Sequence, residues 1–227
     1  MILYAIPTPL GGVPADALPG PALQTIRTLK DFVVENAKSA RAFLGALGMP
    51  VRELGIRTIE DDVAGLLLPL REKRPLGLLS EAGCPAIADP GAALVEAAHR
   101  EGFRVVPLVG PSSIVLALMA SGLEGQRFAF CGYLPREEPE RARRIRELEQ
   151  RSRRERETQI FIETPYRNDV LMAALLAACA GGTRVCVAAD LTLSSETIST
   201  KTVAEWQRAP RGIGRRPAVF LLLADAR

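Results

Sequence analysis

Short runs of Val, Ile and Leu alternate with longer segments of helical period along almost the whole chain, and that alternation constrains the fold more than any other feature. Strand, helix and strand at this spacing require crossovers, so the strands lie largely parallel in a sheet that helices cover on both faces. Ile2–Ile6 reads as the first strand, followed by residues 32–34, Leu76–Leu79 and 104–109. A helix opens at Gly20-Pro21, since proline suits the first helical position. Asn36 caps another that runs to about residue 47, where Gly48-Met49-Pro50 stops it. Further helices are expected near 61–72, over 91–100 and, short and apolar, over 111–121.

After Gly122 the pattern restarts with a strand at Phe128–Tyr133 and a charged helix over about 135–156. Thr158–Glu163, an apolar helix to Cys179, and strands at Arg184–Ala189, 196–199 and Ala218–Leu223 complete it. Two α/β lobes are predicted, 1–123 and 124–227, with the cleft between them as the place for a small-molecule site.

The charge of +3 is too small to demand a polyanionic partner, and 5% aromatic residues cannot supply a broad base-stacking surface. The most apolar stretches, 114–120 and 171–180, fall short of the roughly 20 residues that span a bilayer. The opening MILYAIPTPLGG lacks a basic segment and reaches proline and glycine too soon for a signal peptide. Cys84, Cys131, Cys179 and Cys186 are scattered, which fits neither a zinc site nor a disulfide framework. The lone histidine, His99, argues against a catalytic triad. A soluble cytoplasmic protein without metal or membrane is therefore expected.

Residues 136–157 hold nine Arg and seven Glu, which suggests RNA binding. The signs interleave, however: Glu140 with Arg144, Glu147 with Arg151 and Glu149 with Arg153 stand four apart, the pattern of a solvated helix. Trp206, the only tryptophan, is read as packing.

Four strand ends carry residues that strand propensity does not explain. Residues 80–91, Ser-Glu-Ala-Gly-Cys-Pro-Ala-Ile-Ala-Asp-Pro-Gly, make a stiff loop of small side chains that can press bare backbone against a ligand. Its length exceeds that of a plain turn. Val109-Gly110-Pro111-Ser112-Ser113 places a capping serine where free N–H groups favour an anion. Glu163-Thr164-Pro165-Tyr166-Arg167 and Pro7-Thr8-Pro9-Leu10-Gly11-Gly12 are the others. Neither a Gly-x-Gly-x-x-Gly after the first strand nor a Walker pattern occurs, so the residues alone leave substrate and reaction open.

Taken together, these loops resemble the tetrapyrrole-methylase-like superfamily of S-adenosylmethionine-dependent methyltransferases. The nearest branch methylates a ribose 2′-hydroxyl of small-subunit ribosomal RNA. Residues 3–11, Leu-Tyr-Ala-Ile-Pro-Thr-Pro-Leu-Gly, resemble its opening strand and loop. Residues 80–91 match its S-D-A-G-T-P-x-I-S-D-P-G, 106–112 match the next loop, and 161–167 resemble its F-x-E-S-P-H-R. The resemblance implies a two-lobed fold of that superfamily, with a mostly parallel sheet in the N-terminal lobe and a mixed sheet in the C-terminal one. It also implies a homodimer, with S-adenosylmethionine in the interlobe cleft. Gly83, Cys84, Pro85, Ile87, Ser112 and Ser113 are the implied cofactor positions of the first lobe. Glu163, Thr164, Pro165, Ala188, Ala189, Pro217 and Ala218 are those of the second.

Methylating a hydroxyl also needs a proton acceptor, for which Glu35, Glu81 and Asp89 are candidates. The sequence departs from the branch on what the resemblance makes the acceptor side. Thr8-Pro9-Leu10-Gly11-Gly12-Val13-Pro14 replaces T-N/I-G-N-L-G-D, and Glu35-Asn36-Ala37-Lys38-Ser39-Ala40-Arg41 replaces the E-D-T-R-H-T segment. Tyr166 stands where the branch often has histidine. Asn36, Lys38, Arg41 and Arg167 are the candidate acceptor-binding residues. The reading is a sister subfamily acting on RNA, with the ribosomal subunit as a possible partner. A small-molecule methyltransferase (for a tetrapyrrole, for example) and a non-catalytic cofactor-binding module are the alternatives.

Overall fold

A sheet of short strands whose central members carry apolar side chains on both faces is buried between two helical layers. In the computed structural model, which describes residues 1–59, 62–209 and 212–225, the strands are β1 (Ile2–Ile6), β2 (Asp31–Val34), β3 (Gly55–Thr58), β4 (Leu76–Leu79) and β5 (Arg104–Pro107). All pair in parallel, in the order β3-β2-β4-β1-β5. Alternation along β2 assigns its side chains to the two layers. Phe32 and Val34 pack with Ile26 of helix Gly20–Thr28 and Leu44 of helix Ala37–Ala46. Val33 packs with Leu70 and with Leu94 of helix Ala92–Arg100.

Most expected elements form near their expected bounds. Asn36 caps its helix as anticipated, accepting from the backbone N–H of Lys38 at 2.9 Å and Ser39 at 3.4 Å. The helix expected near 61–72 is instead two single turns, Val63–Leu66 and Leu68–Arg71. Pro69 brings no N–H and breaks the run; Asp61, at the start of that expectation, lies outside the described residues. The edge strand β3 was not anticipated, because its alternating half-exposed residues give no apolar run.

The chain divides into two packed units, Met1–Ser112 and Ser113–Arg227. The second is built on β6 (Phe128–Tyr133), β7 (Thr158–Glu163), β8 (Arg184–Ala189), β9 (Thr197–Thr202) and β10 (Ala218–Leu223), in the order β6-β7-β10-β8-β9. The β6–β7 pair is parallel and the others are antiparallel, so the sheet is mixed. On one face Phe161 and Phe220 stack with centroids 6.1 Å apart. Trp206 is buried beside them and donates its indole N–H to the Val185 carbonyl at 3.0 Å, so it packs as expected. Its helix, Val203–Arg208, was not anticipated, although Thr202 and Glu205 close a capping box at its start.

The Arg-rich segment forms helix Glu138–Glu155. Of the three expected ion pairs only Glu149–Arg153 is present among the described residues, at 3.8 Å. Glu147 pairs instead with Arg143 at 3.5 Å and Arg144 at 3.3 Å, and Arg151 reaches Glu157 at 2.9 Å. Most polar groups of the inward face are satisfied: Glu149 accepts from the Ala180 N–H at 2.8 Å, and Ser152 accepts from the Ala224 N–H at 2.9 Å. Arg141 donates through Nη1 to the Arg136 carbonyl, while its buried Nε has no partner among the described residues. Arg151 is half exposed, so its ion pair is screened by water. Arg151→Ala is expected to change the unfolding free energy by no more than about 0.5 kcal/mol, read by urea titration.

Candidate active site

β1 and β4 are paired neighbours, yet the chain leaves them in opposite directions, from β1 toward β2 and from β4 toward β5. Such a switch point opens a crevice at the carboxyl ends of the strands, where ligands collect. The loops at those two ends are tied together. Thr8 donates its N–H to the Gly83 carbonyl at 2.8 Å and Gly83 returns one to Thr8 at 3.0 Å. The Ser80 hydroxyl also donates to the Gly83 carbonyl, at 3.1 Å. Gly83 has φ +78°, a conformation that favours glycine, and an added Cβ would lie 3.3 Å from Leu10.

The loop after β5 packs against the first loop at Gly110, where a Cβ would stand 2.5 Å from that of Pro7. Cys84 Sγ donates to the Pro111 carbonyl at 3.4 Å. It also hydrogen-bonds Ser112, and burial pushes its thiol up. Pro85 is buried, Ile87 is exposed, and Ala86 and Ala88 both sit at φ +65°. Left-handed backbone costs a non-glycine residue roughly 1–2 kcal/mol. Two such residues in one loop persist because the surrounding packing holds them there. The first unit therefore brings Gly83, Cys84, Pro85, Ile87 and Ser112 onto linked loops.

The same strand ends gather the three candidate carboxylates. Glu35, just past β2, accepts from the Glu81 N–H at 3.2 Å. Glu81 in turn accepts from the Ser39 hydroxyl at 3.1 Å. Asp89 is half buried and titrates at about 6, raised first by burial and then by the negative charges of Glu35 and Glu81, against a hydrogen bond from Ser80. Among the described residues, no group of His, Cys, Asp or Glu is arranged to hold a metal ion. Asn36 is committed to its cap, while Lys38 and Arg41 are exposed on the helix that follows.

In the second unit, strand register brings the expected residues to one end of its sheet. Ala218 pairs with Glu163 on one side and Ala189 on the other, and Val219 pairs with Ala188. Asp190 donates its N–H to the Pro217 carbonyl at 3.0 Å. Glu163 is buried; one oxygen accepts from the Thr164 N–H at 2.8 Å, and the other lies 3.3 Å from Arg167. Arg167 is thus engaged with Glu163. Pro165 opens a single turn, Pro165–Arg167, and Ser113 begins helix Ser113–Ser121. Asn168, which was not anticipated, is buried and donates to the carbonyls of Gly214 at 3.0 Å and Arg216 at 2.7 Å. It fixes the loop that leads into β10.

A cavity of about 270 Å³ lies in the first unit between the first loop and helix Ala37–Ala46. Thr8, Pro9, Gly11, Gly12, Pro14, Ala42, Phe43, Ala46 and Glu81 line it. Its helical wall escaped the sequence reading, although Ala42 and Ala46, four apart and both exposed, mark a helix face kept small. No helix among the described residues is long and apolar enough to cross a membrane.

The profile of the tetrapyrrole (corrin/porphyrin) methylases matches residues 19–207. A ribosomal RNA small subunit methyltransferase I of Halalkalibacterium halodurans is 33% identical over 215 residues, covering 91% of this chain and 71% of that one. The protein of the same name from Xylella fastidiosa is 34% identical over 208 residues, covering 90% and 74%. Among solved structures, the methyltransferase CobJ superposes with a TM-score of 0.65 at 16% identity, covering 99% of this chain and 94% of that one. The cobalt precorrin-4 methyltransferase CbiF gives 0.63 at 19% identity, covering 98% and 94%. Those two structures establish the fold, and the profile with the more similar relatives establishes the family: the chain belongs to the tetrapyrrole (corrin/porphyrin) methylases and is a methyltransferase.

Proposed function

We propose that the protein transfers a methyl group from S-adenosylmethionine to a ribose 2′-hydroxyl of small-subunit ribosomal RNA. Relatives named ribosomal RNA small subunit methyltransferase I support the acceptor class. The observation that carries the chemistry is a half-buried Asp89, crowded by Glu35 and Glu81, on the small-residue loop at the switch point.

The residues present suit the donor. The left-handed turns at Ala86, Ala88 and Gly91 lie in a loop of small side chains, so backbone there can approach the donor's polar ends. The Gly83 peptide, hydrogen-bonded to Thr8, holds the loop in place. Ser112 and Ser113 supply hydroxyls beside a helix start. Glu163, Thr164, Pro165, Ala188, Ala189, Pro217 and Ala218 are the donor positions the resemblance implies within the second unit, gathered at one end of its sheet. Bound there, S-adenosylmethionine supplies a methyl group on an already activated sulfonium, so no metal is needed. What remains for the protein is alignment, worth roughly 7–11 kcal/mol in a well-ordered site, and removal of one proton.

Of the three candidates, Asp89 is best suited to take that proton from the ribose hydroxyl. A base works best when its pKa lies near the working pH, and burial with two neighbouring carboxylates brings Asp89 to about 6. Glu35 and Glu81 are held by hydrogen bonds as its electrostatic neighbours. Lys38 and Arg41, exposed beside them, are placed to meet RNA phosphates. Mass spectrometry of nucleosides from small-subunit RNA tests the reading. Cells lacking the protein are expected to lose one 2′-O-methylated nucleoside and regain it on complementation; an unchanged inventory would remove the RNA assignment.

A further inference from the structure

The cavity beside the first loop is not needed to hold the donor in the reading above, and its lining has a distinct chemistry. Two prolines, two glycines, two alanines and the half-buried ring of Phe43 make mostly apolar walls. One ionisable side chain reaches it, Glu81. The Ser39 hydroxyl donates to Oε1 of that carboxylate and so fixes its direction. Among the described residues its other oxygen, Oε2, has no hydrogen-bond donor, although Glu81 is exposed. An open, mostly apolar cavity of this size with an oriented acceptor at its edge suits a heterocycle that presents N–H donors. Lys38 and Arg41, exposed on the helix that forms one wall, add positive charge next to the cavity, where a nucleotide's phosphate would follow its base.

We propose that this cavity seats one unstacked nucleobase of the RNA acceptor and that Glu81 selects a base with an exocyclic amino group. The proposal rests on the RNA reading and deepens it. Proteins that read RNA by sequence take splayed bases against aromatic or apolar walls and hydrogen-bond their pairing edges. A carboxylate accepts from the amino group of cytosine or adenine. Uracil offers carbonyl oxygens in its place, and these repel a carboxylate. Glu81 is thus a specificity-determining residue, distinct from the base that takes the ribose proton.

The test is an NMR titration with CMP, AMP and UMP, in the presence of saturating S-adenosylhomocysteine, following the backbone amides of Gly11, Gly12 and Phe43. CMP and AMP are expected to bind about 10- to 100-fold more tightly than UMP, the span of one good base-edge contact. Glu81→Gln should reduce that preference to within threefold. Ala46→Leu, an exposed and helix-favouring substitution that narrows the cavity, should weaken all three nucleotides. With small ribosomal subunits at pH 8, Glu81→Gln should raise KM at least tenfold.

Equal binding of the three nucleotides would overturn the proposal. So would nucleotide binding that S-adenosylhomocysteine displaces, which would assign the cavity to the donor, or a fall in kcat at unchanged KM. The titration needs no turnover. A wild-type protein that shows the nucleotide preference but methylates no RNA would therefore overturn the functional reading alone.

Discussion

Replacing Gly83 by arginine is expected to abolish donor binding, with no heat detected at millimolar S-adenosylmethionine, while the fold survives. The glycine stands at φ +78°, and its amide and carbonyl form the paired hydrogen bonds to Thr8 that join the loops after β1 and β4. Any side chain there pays roughly 1 kcal/mol or more for left-handed backbone. Its Cβ would press within 3.3 Å of Leu10, and the rest of an arginine must project across the main chain assigned to the ligand. Circular dichroism separates loss of the site from loss of the fold. Gly83→Ala, which meets the same strain without the bulk, should retain weakened binding. Arg151→Ala serves as the control, because Arg151 stands on a solvated helix of the second unit and pairs with Glu157 just beyond its end. If the two substitutions at 83 and 151 have equal effects on binding, the site is misplaced.

Asp89→Asn should remove activity and increase stability at the same time. As the proton acceptor, the carboxylate contributes the factor of about 10²–10⁴ typical of general-base catalysis, so kcat should fall by that order. In the parent protein the rate should rise with pH through about 6 and then level off, because only ionised Asp89 accepts a proton. The variant should lose that limb.

The stability effect follows from the same raised pKa. The folded value of about 6 exceeds the ordinary 3.8, so the native state retains a proton that the unfolded chain releases. Below about pH 4 both states are protonated and ionisation costs nothing. Between 4 and 6 stability falls as pH rises, and above 6 the whole cost is present. Asparagine carries no such cost. Its melting temperature should match the parent's below pH 4 and exceed it at pH 8. A variant that melts lower at pH 8 would contradict the burial and charge crowding assigned to Asp89. Function held at the expense of stability is common at catalytic sites.

The central strands of both sheets were legible because fully buried strands must be almost wholly apolar, as in β4 and β10. β5 and β6, partly exposed, still carry runs of Val or aromatic residues. Where both signals lapse the reading fails. β3 is an edge strand whose residues alternate in exposure, and β9 is a Thr- and Ser-rich edge that extends three residues beyond its expected end at 199. The short helix Val203–Arg208 had a legible cap in Thr202 and Glu205 but too few residues to show a period.

For the site, the small residues of 80–91 pointed to a backbone-built surface because side chains of that size have little else to offer. The order of strands did not show in the sequence. The proximity of Glu35, Glu81 and Asp89 depends on β2 and β4 lying side by side, a tertiary fact that linear spacing cannot carry. Ion pairs were also poorly read. Helical spacing permitted Glu147–Arg151, but Arg151 turned to Glu157 beyond the helix end. Competing partners of similar energy decide such contacts.

The most direct measurement incubates the purified protein with methyl-tritiated S-adenosylmethionine and small ribosomal subunits, then hydrolyses the RNA in alkali. A methylated ribose hydroxyl cannot attack the neighbouring phosphate, so a 2′-O-methyl label must be recovered in alkali-resistant dinucleotides, and Asp89→Asn must reduce it by two orders of magnitude or more. Label released as mononucleotides, or none incorporated by the wild-type protein, would contradict the account.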